Sequence, residues 1–313
     1  MGAVLTPAAA ERIALVLACE GMGDCLFAQA VIRKMHARAA GRHVFTLYTH
    51  HPEIFRACPY VAETRPMSAL PGPAEPPLKG VKLFELDKLP HAHMDTFDFV
   101  SIPLGLGGLS FREKQLEYFA TEEDHAGAFD VVLNTSMTWP SRSWPLEHWQ
   151  RLATALASRG QSVAVVGKEV TSHYDHVVKR SHALEGCTNL VDRLSLDQTF
   201  YTIRKARVFV SCQNGLSVLA GATDTELVIL DMSIEWSKRA IYRREDPHYK
   251  VTYVKGGCGI YCGAPNACPV PENHGELRCV PAYEQVEAAV LTSLRKAGTG
   301  RSGETQGGTA NAP

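Results

Sequence analysis

The sequence predicts an α/β protein built as two Rossmann-like domains. Short apolar runs alternate with stretches of helical periodicity along the chain, the pattern of parallel strands joined by helices. Glycine- or hydroxyl-rich turns follow several of these runs, at the strand ends where open α/β sheets bind ligands. The 313 residues exceed one typical domain, so two of roughly 150 residues are expected. A hydrophobic content of 45% and a charged content of 21% place the chain among soluble globular proteins. A net charge of −1 argues against electrostatic binding of nucleic acid. No run is long and apolar enough to predict a transmembrane segment. Residues 1–10 lack the basic lead of a signal peptide, so a cytoplasmic location is expected. Nine cysteines in such a chain point to thiols or metal ligands rather than disulfides.

Arg12-Ile-Ala-Leu-Val-Leu-Ala18 reads as the first buried strand. A tight turn around Gly21 and Gly23 follows, and Leu26, Phe27, Ala30, Val31 and Met35 line one side of a helix. The turn lacks the third glycine of a dinucleotide fingerprint, and no acidic residue follows the second strand, so NAD binding is not favoured. Asp24, at the helix start, suits an N-cap. Residues 44–48 and 81–86 are further strands. His50 and His51 follow the first of these, and residues 66–77 are a proline-rich surface loop. His91, His93 and Asp95 have no recognisable metal spacing and read as loop polar groups. Residues 111–119 suggest a short amphipathic helix. The polar stretch 122–128 is a hinge, which bounds a first domain at 1–122.

The second domain, 123–297, opens on the strand Val131-Val-Leu133. A loop with two Trp-Pro pairs follows, then a helix in which Pro145 suits the first turn and Leu146, Trp149, Leu152, Ala153 and Leu156 mark the core face. Residues 162–167 are the next strand. Thr135, Ser136, Thr138 and Ser141 offer hydroxyls in the loop, and Arg142 offers a permanent charge. Together with free N–H groups at the helix start they suit a phosphate or diphosphate. A polar helix is expected at 170–181. Another carries Leu196, Phe200, Ile203 and Ala206 on one face. Strand 207–211 runs into Gln213-Asn-Gly-Leu-Ser217, a second strand–loop–helix with glycine at its turn, where Gln213, Asn214, Gly215 and Ser217 supply small polar groups. Residues 226–231 form another strand, and Asp231-Met-Ser-Ile-Glu-Trp236 another carboxyl-end loop, suited to acceptor or donor contacts and equally to capping a helix. Cys258, Cys262, Cys268 and Cys279 follow as C-x3-C-x5-C-P-x9-C. Four thiolates can complete a tetrahedral zinc or iron site, structural because no position stays open; packing by unligated thiols is the plain alternative. His274 can replace one ligand. Tyr283, Val286, Val290 and Leu294 stripe a last helix, and the Gly/Ser/Thr-rich tail 298–313 is expected to be disordered.

Trp139-Pro-Ser-Arg-Ser-Trp-Pro-Leu-Glu-His-Trp149 resembles the signature of the bacterial heptosyltransferases, glycosyltransferase family nine. That family usually has Lys where this chain has Arg142. The resemblance extends in order to the Asp24 turn, the Gln213–Ser217 loop and the cysteine segment, which is similar to that of the autotransporter heptosyltransferases. It implies a GT-B fold, two Rossmann-like domains facing a central cleft, the first for acceptor and the second for nucleotide sugar. It also implies Asp24 as catalytic base in an inverting transfer to a lipopolysaccharide-core or protein hydroxyl. A lipid-borne acceptor would bring loose association with the inner membrane face. The donor implied is ADP-heptose-like. No Asp-x-Asp motif is present, so no catalytic metal or other cofactor is expected. This chain departs from the family at Gln213, where an Asp is usual, and at Val218, where a His is usual, which leaves the sugar open. Two rival readings stand beside it: a nucleotide-sugar-binding protein without transfer activity, and a Rossmann oxidoreductase with a metal held by the cysteines.

Overall fold

A computed structural model describes residues 10–19, 21–71, 82–85, 109–122, 127–136, 140–169, 171–173, 177–262 and 268–301. The chain divides into two compact units, Met1–Thr121 and Glu122–Pro313.

The first unit carries a four-stranded parallel sheet. Strand β1 is Glu11–Leu17, β2 His43–Thr49, β3 Glu63–Pro66 and β4 Lys82–Glu85, in the order β3-β2-β1-β4. Helix α1, Met22–Ala39, leaves the turn after β1 and buries Leu26, Phe27, Ala30 and Val31. It ends where Ala40 and Gly41 take left-handed backbone, a conformation that closes helices and that glycine adopts without strain. Because β2 lies on one side of β1 and β4 on the other, the turn after β1 sits at a topological switch point. Such points leave a crevice beyond the strand ends.

Residues 111–119 do not form the expected helix. Ser110 and Glu113 close a single turn: Glu113 takes the Ser110 N–H at 2.8 Å, and Ser110 Oγ takes the Glu113 N–H. Arg33 then captures the carbonyls of Glu113 and Gln115, and Gln29 that of Glu117. These side chains on α1 occupy the acceptors that a continuing helix would need, so the segment runs on without regular secondary structure.

The second unit carries six parallel strands: β5 Val131–Asn134, β6 Val163–Val165, β9 Thr188–Asn189, β10 Val208–Cys212, β11 Glu226–Asp231 and β12 Val251–Lys255. Their order is β12-β11-β10-β5-β6-β9. Helices α2 (Leu146–Ala157), α3 (Leu196–Lys205), α4 (Gly215–Gly221) and α5 (Tyr283–Arg301) complete it. Strands are added on one side of β5 as far as β9, and the chain then returns to the other side with β10. The switch point therefore lies between β5 and β10, beneath the Trp-Pro loop and the Gln213 loop.

Several elements differ from expectation. The polar helix expected at 170–181 is replaced by an antiparallel pair, β7 Thr171–His173 and β8 Val177–Lys179, with Thr171 opposite Lys179; β-branched residues favour strands over helices. Helix α5 runs to Arg301, so residues 298–301 are helical rather than part of a disordered tail. Pro145 is the N-cap of α2, one step before its first turn, and Leu146 is 36% exposed rather than core-facing.

The expected core faces of α2 and α5 otherwise pack together on the sheet. Trp149, Leu152 and Leu156 share one cluster with Tyr283, Val286, Val290 and Leu294. Trp144 joins the two helices. It is fully buried, its indole N–H donates to the Pro281 carbonyl at 2.9 Å, and its ring meets Trp149 edge-on with centroids 4.9 Å apart. Trp144→Ala is expected to cost about 3–5 kcal/mol, read as a fall in Tm and in the urea midpoint.

Candidate active site

In the first unit, Asp24 occupies the third position of α1. The N-cap is Gly21, with no side-chain cap bond, so Asp24 is not the cap that its place in the sequence suggests. Its carboxylate folds back over Gly21: a Cβ added there would collide with Asp24 Oδ2 and stand 3.3 Å from its Cγ. Glycine at 21 therefore makes room for the carboxylate at the switch point, and Gly23 is buried within the first turn. Acidic groups are favoured in a first helical turn. Cys25 and Thr49 back the turn from within.

In the second unit, Asn134 at the end of β5 organises the crevice. Its Oδ1 accepts from Ser211 Oγ at 3.2 Å and from Asn214 Nδ2 at 2.7 Å, while its Nδ2 donates to the Val166 carbonyl. Strands β5, β6 and β10 are thereby tied at their carboxyl ends. Ser141 and Arg142 lie on the single 3-10 turn Pro140–Arg142. Ser141 is buried and donates to Ser233 Oγ at 3.1 Å. Arg142 donates through Nη2 to the Gln213 carbonyl, which brings a half-buried guanidinium to the end of β10. Thr138 lies outside the described residues.

The Gln213–Ser217 loop divides its work. Asn214 is the N-cap of α4 and accepts the N–H groups of Leu216 and Ser217, and Ser217 Oγ takes the Asn214 N–H. This reciprocal capping box occupies the side chains of Asn214 and Ser217 in the described structure, with Gly215 as the first helical residue. Gln213 is 5% exposed and donates through Nε2 to Asp231 Oδ1 at 3.2 Å. Val218 is buried in α4.

Asp231 ends β11 and opens the carboxyl-end loop 231–236 that the sequence marks for ligand contacts. It is 1% exposed, takes Gln213 on one oxygen and the Tyr261 hydroxyl on the other at 3.2 Å, and lies near Lys255 and Glu235. Burial outweighs the Tyr261 hydrogen bond and Lys255, and pushes the carboxyl up to about 6 from 3.8. Because the folded value is raised, the favoured form is protonated. The penalty is absent below about pH 4 and grows as pH rises through about 6. Asp231→Asn is therefore expected to stabilise the protein by about 2 kcal/mol at pH 7.5, after discounting for screening. The Tm gap should close at pH 4; a gap independent of pH would contradict this.

The cysteine segment adjoins the same turn. Cys279 is buried and its thiol faces the Ser141 carbonyl. Burial, then the charges of Cys258, Cys262 and Cys268, push Cys279 up to about 11. The Cys258 N–H donates to the Arg278 carbonyl at 3.0 Å, and Asn273 donates to the Cys268 sulfur at 3.2 Å. A Cβ on Gly256 would strike the Cys279 backbone, so glycine permits this approach. Four thiols thus share one neighbourhood, a donor set that suits zinc or iron. Among the described residues no three metal-binding side chains are close enough to hold an ion. His91, His93 and Asp95 lie outside the described residues.

Residues 107–230 match the model of glycosyltransferase family 9 (heptosyltransferase). No curated protein matches the sequence. Among solved structures, the chain is similar to a glycosyl transferase of family 9 from Veillonella parvula, at 10% identity and TM-score 0.63, covering 91% of this chain and 98% of that one. It is similar to the iron-containing heptosyltransferase TibC of enterotoxigenic E. coli, solved with ADP-D-beta-D-heptose, at 14% identity and TM-score 0.65, covering 92% and 78%. It is also similar to E. coli heptosyltransferase WaaC with ADP, at 14% identity and TM-score 0.55, covering 91% and 99%. The fold is accordingly the GT-B class expected from the sequence, with parallel sheets in both units.

Proposed function

We propose that this chain, whose residues 107–230 match the family 9 (heptosyltransferase) model, is a glycosyltransferase that moves a heptose-like sugar from a nucleotide-diphosphate donor to a hydroxyl acceptor with inversion. The observation that carries the reading is the second unit's switch point, where the Arg142 guanidinium is bound to the Gln213 carbonyl beside the capped start of α4. In the reaction, the acceptor oxygen attacks the anomeric carbon and gives its proton to Asp24 as general base. The bond from that carbon to the diphosphate breaks on the opposite side. Charge developing on the leaving diphosphate is met by Arg142, with Thr138, Ser141 and the Asn214–Gly215 backbone completing the cradle and Gln213 and Ser217 shaping its floor.

The ADP and ADP-heptose complexes of the two E. coli relatives make an ADP-linked heptose the first donor to try. The first unit is assigned the acceptor, either a lipopolysaccharide core or a protein hydroxyl. No described helix is long and apolar enough to cross a membrane, and we assign a cytoplasmic enzyme that meets any lipid-borne acceptor at the inner membrane face. Titration calorimetry of the full chain with ADP, UDP and their sugar conjugates tests the donor site. Binding of one nucleotide family supports it, and binding of none overturns it. Gln213 and Val218 favour a second reading, in which the chain binds a nucleotide sugar and transfers nothing; donor would then bind and remain intact with acceptor present.

Cys258, Cys262, Cys268 and Cys279 are assigned a structural zinc or iron. The ion would clamp the cysteine segment beneath the Ser141–Arg142 turn and supply no chemistry to the transfer. About one metal per chain by elemental analysis, and a lower Tm after chelation, are expected. A metal-free chain with unchanged Tm would contradict the assignment.

A further inference from the structure

We propose that Asp231, with Gln213 beside it, receives the hydroxyl groups of the donor sugar and so determines which sugar is accepted. The proposal rests on the donor-site reading of the β5–β10 crevice. Cys212 pairs with Leu230 in the parallel register of β10 and β11, so Gln213 and Asp231 leave adjacent strands side by side at their carboxyl ends. Gln213 links Arg142 to Asp231. Its carbonyl accepts from Arg142, the group suited to a diphosphate, and its side-chain amide donates to Asp231. Ser141 and Ser233 tie the Arg142 turn to the loop two residues beyond Asp231. A ligand whose diphosphate sits on Arg142 therefore brings its next group toward this pair.

The pair carries acceptors in excess. Gln213 Oε1 is buried without a hydrogen-bond partner among the described residues, an arrangement that native proteins rarely leave uncompensated. The hydrogen bonds Asp231 takes from Gln213, Tyr261 and the Trp236 backbone all come from neutral donors, and its burial outweighs them and the nearby Lys255 charge. A buried carboxylate retained under those conditions is a candidate for function rather than stability. One carboxylate and one amide are too few oxygens for a divalent cation, whereas vicinal hydroxyls can donate to both. Tyr261 supplies the hydroxyl that Asp231 takes now. It lies outside any helix or strand, between Cys258 and Cys262, so a sugar hydroxyl of the same chemistry can replace it.

The test is calorimetry of wild type, Asp231→Asn, Gln213→Met and Tyr261→Phe with ADP and with an ADP-linked heptose. Asp231→Asn should lower affinity for the sugar conjugate roughly 10–100-fold and leave ADP binding unchanged, which also reports that the variant is folded. Gln213→Met should act in the same direction. Tyr261→Phe should bind the conjugate at least as tightly as wild type, because the lost hydroxyl is the one displaced. If Asp231→Asn weakens ADP and conjugate equally, or weakens neither, or if the sugar adds no affinity in wild type, this proposal is overturned while the donor-site reading stands. If wild type binds neither probe, that reading falls and takes the proposal with it.

Discussion

Asp24→Asn is expected to reduce transfer by about 10²–10⁴-fold, the usual contribution of a positioned general base, with the fold intact. Asn keeps the shape of the carboxylate that lies over Gly21 but cannot take a proton at neutral pH. Because the cap of α1 is Gly21 and not Asp24, the change removes no N-cap bond, and the loss of a charge in a first helical turn is worth about 0.3–1 kcal/mol. The two roles separate cleanly. A kcat that collapses while Tm moves by a few degrees supports the base. Unchanged turnover would leave Asp24 as a helix-terminus charge and require another base.

Arg142→Ala is expected to lower kcat by about 10²–10³-fold, as removal of one preorganised donor to a developing charge does, and to weaken nucleoside diphosphate binding in parallel. Arg142→Lys should recover much of the loss, since an ammonium also meets a diphosphate, but not all of it. The guanidinium reaches the Gln213 carbonyl through one arm of a fork that Lys lacks. Steady-state kinetics with ADP inhibition would separate these outcomes. Equal activity of the alanine variant would move the diphosphate elsewhere in the crevice.

What the sequence made legible follows from range. The turn at Gly21 and Gly23, the loop ending at Arg142 and the start of α4 each announce themselves within a few residues, because a strand, a turn and an amphipathic helix are local patterns. The buried stripes of α2 and α5 were readable for the same reason, and their tryptophans and valines do pack together. The failures are long-range or too short to show a period. Strands β7 and β8 have three residues each, below the length at which alternation separates a strand from a helix. Residues 111–119 carry a helical pattern, but Arg33 and Gln29, distant in sequence, take their carbonyls. The site shows the same division. Arg142 stands out by its charge, whereas Asn134 is an uncharged strand-end residue whose importance lies in bonds to Ser211 and Asn214. The partnership of Gln213 with Asp231 depends on the register of β10 against β11, which no single stretch of sequence encodes.

The most direct test of the glycosyltransferase assignment is release of nucleoside diphosphate by the purified chain, across a panel of nucleotide sugars headed by ADP-linked heptoses, with lipopolysaccharide-core and protein acceptors. The account predicts acceptor-dependent release from one donor, lost in Asp24→Asn. A donor that binds and stays intact with every acceptor, or release that Asp24→Asn supports equally well, would contradict it.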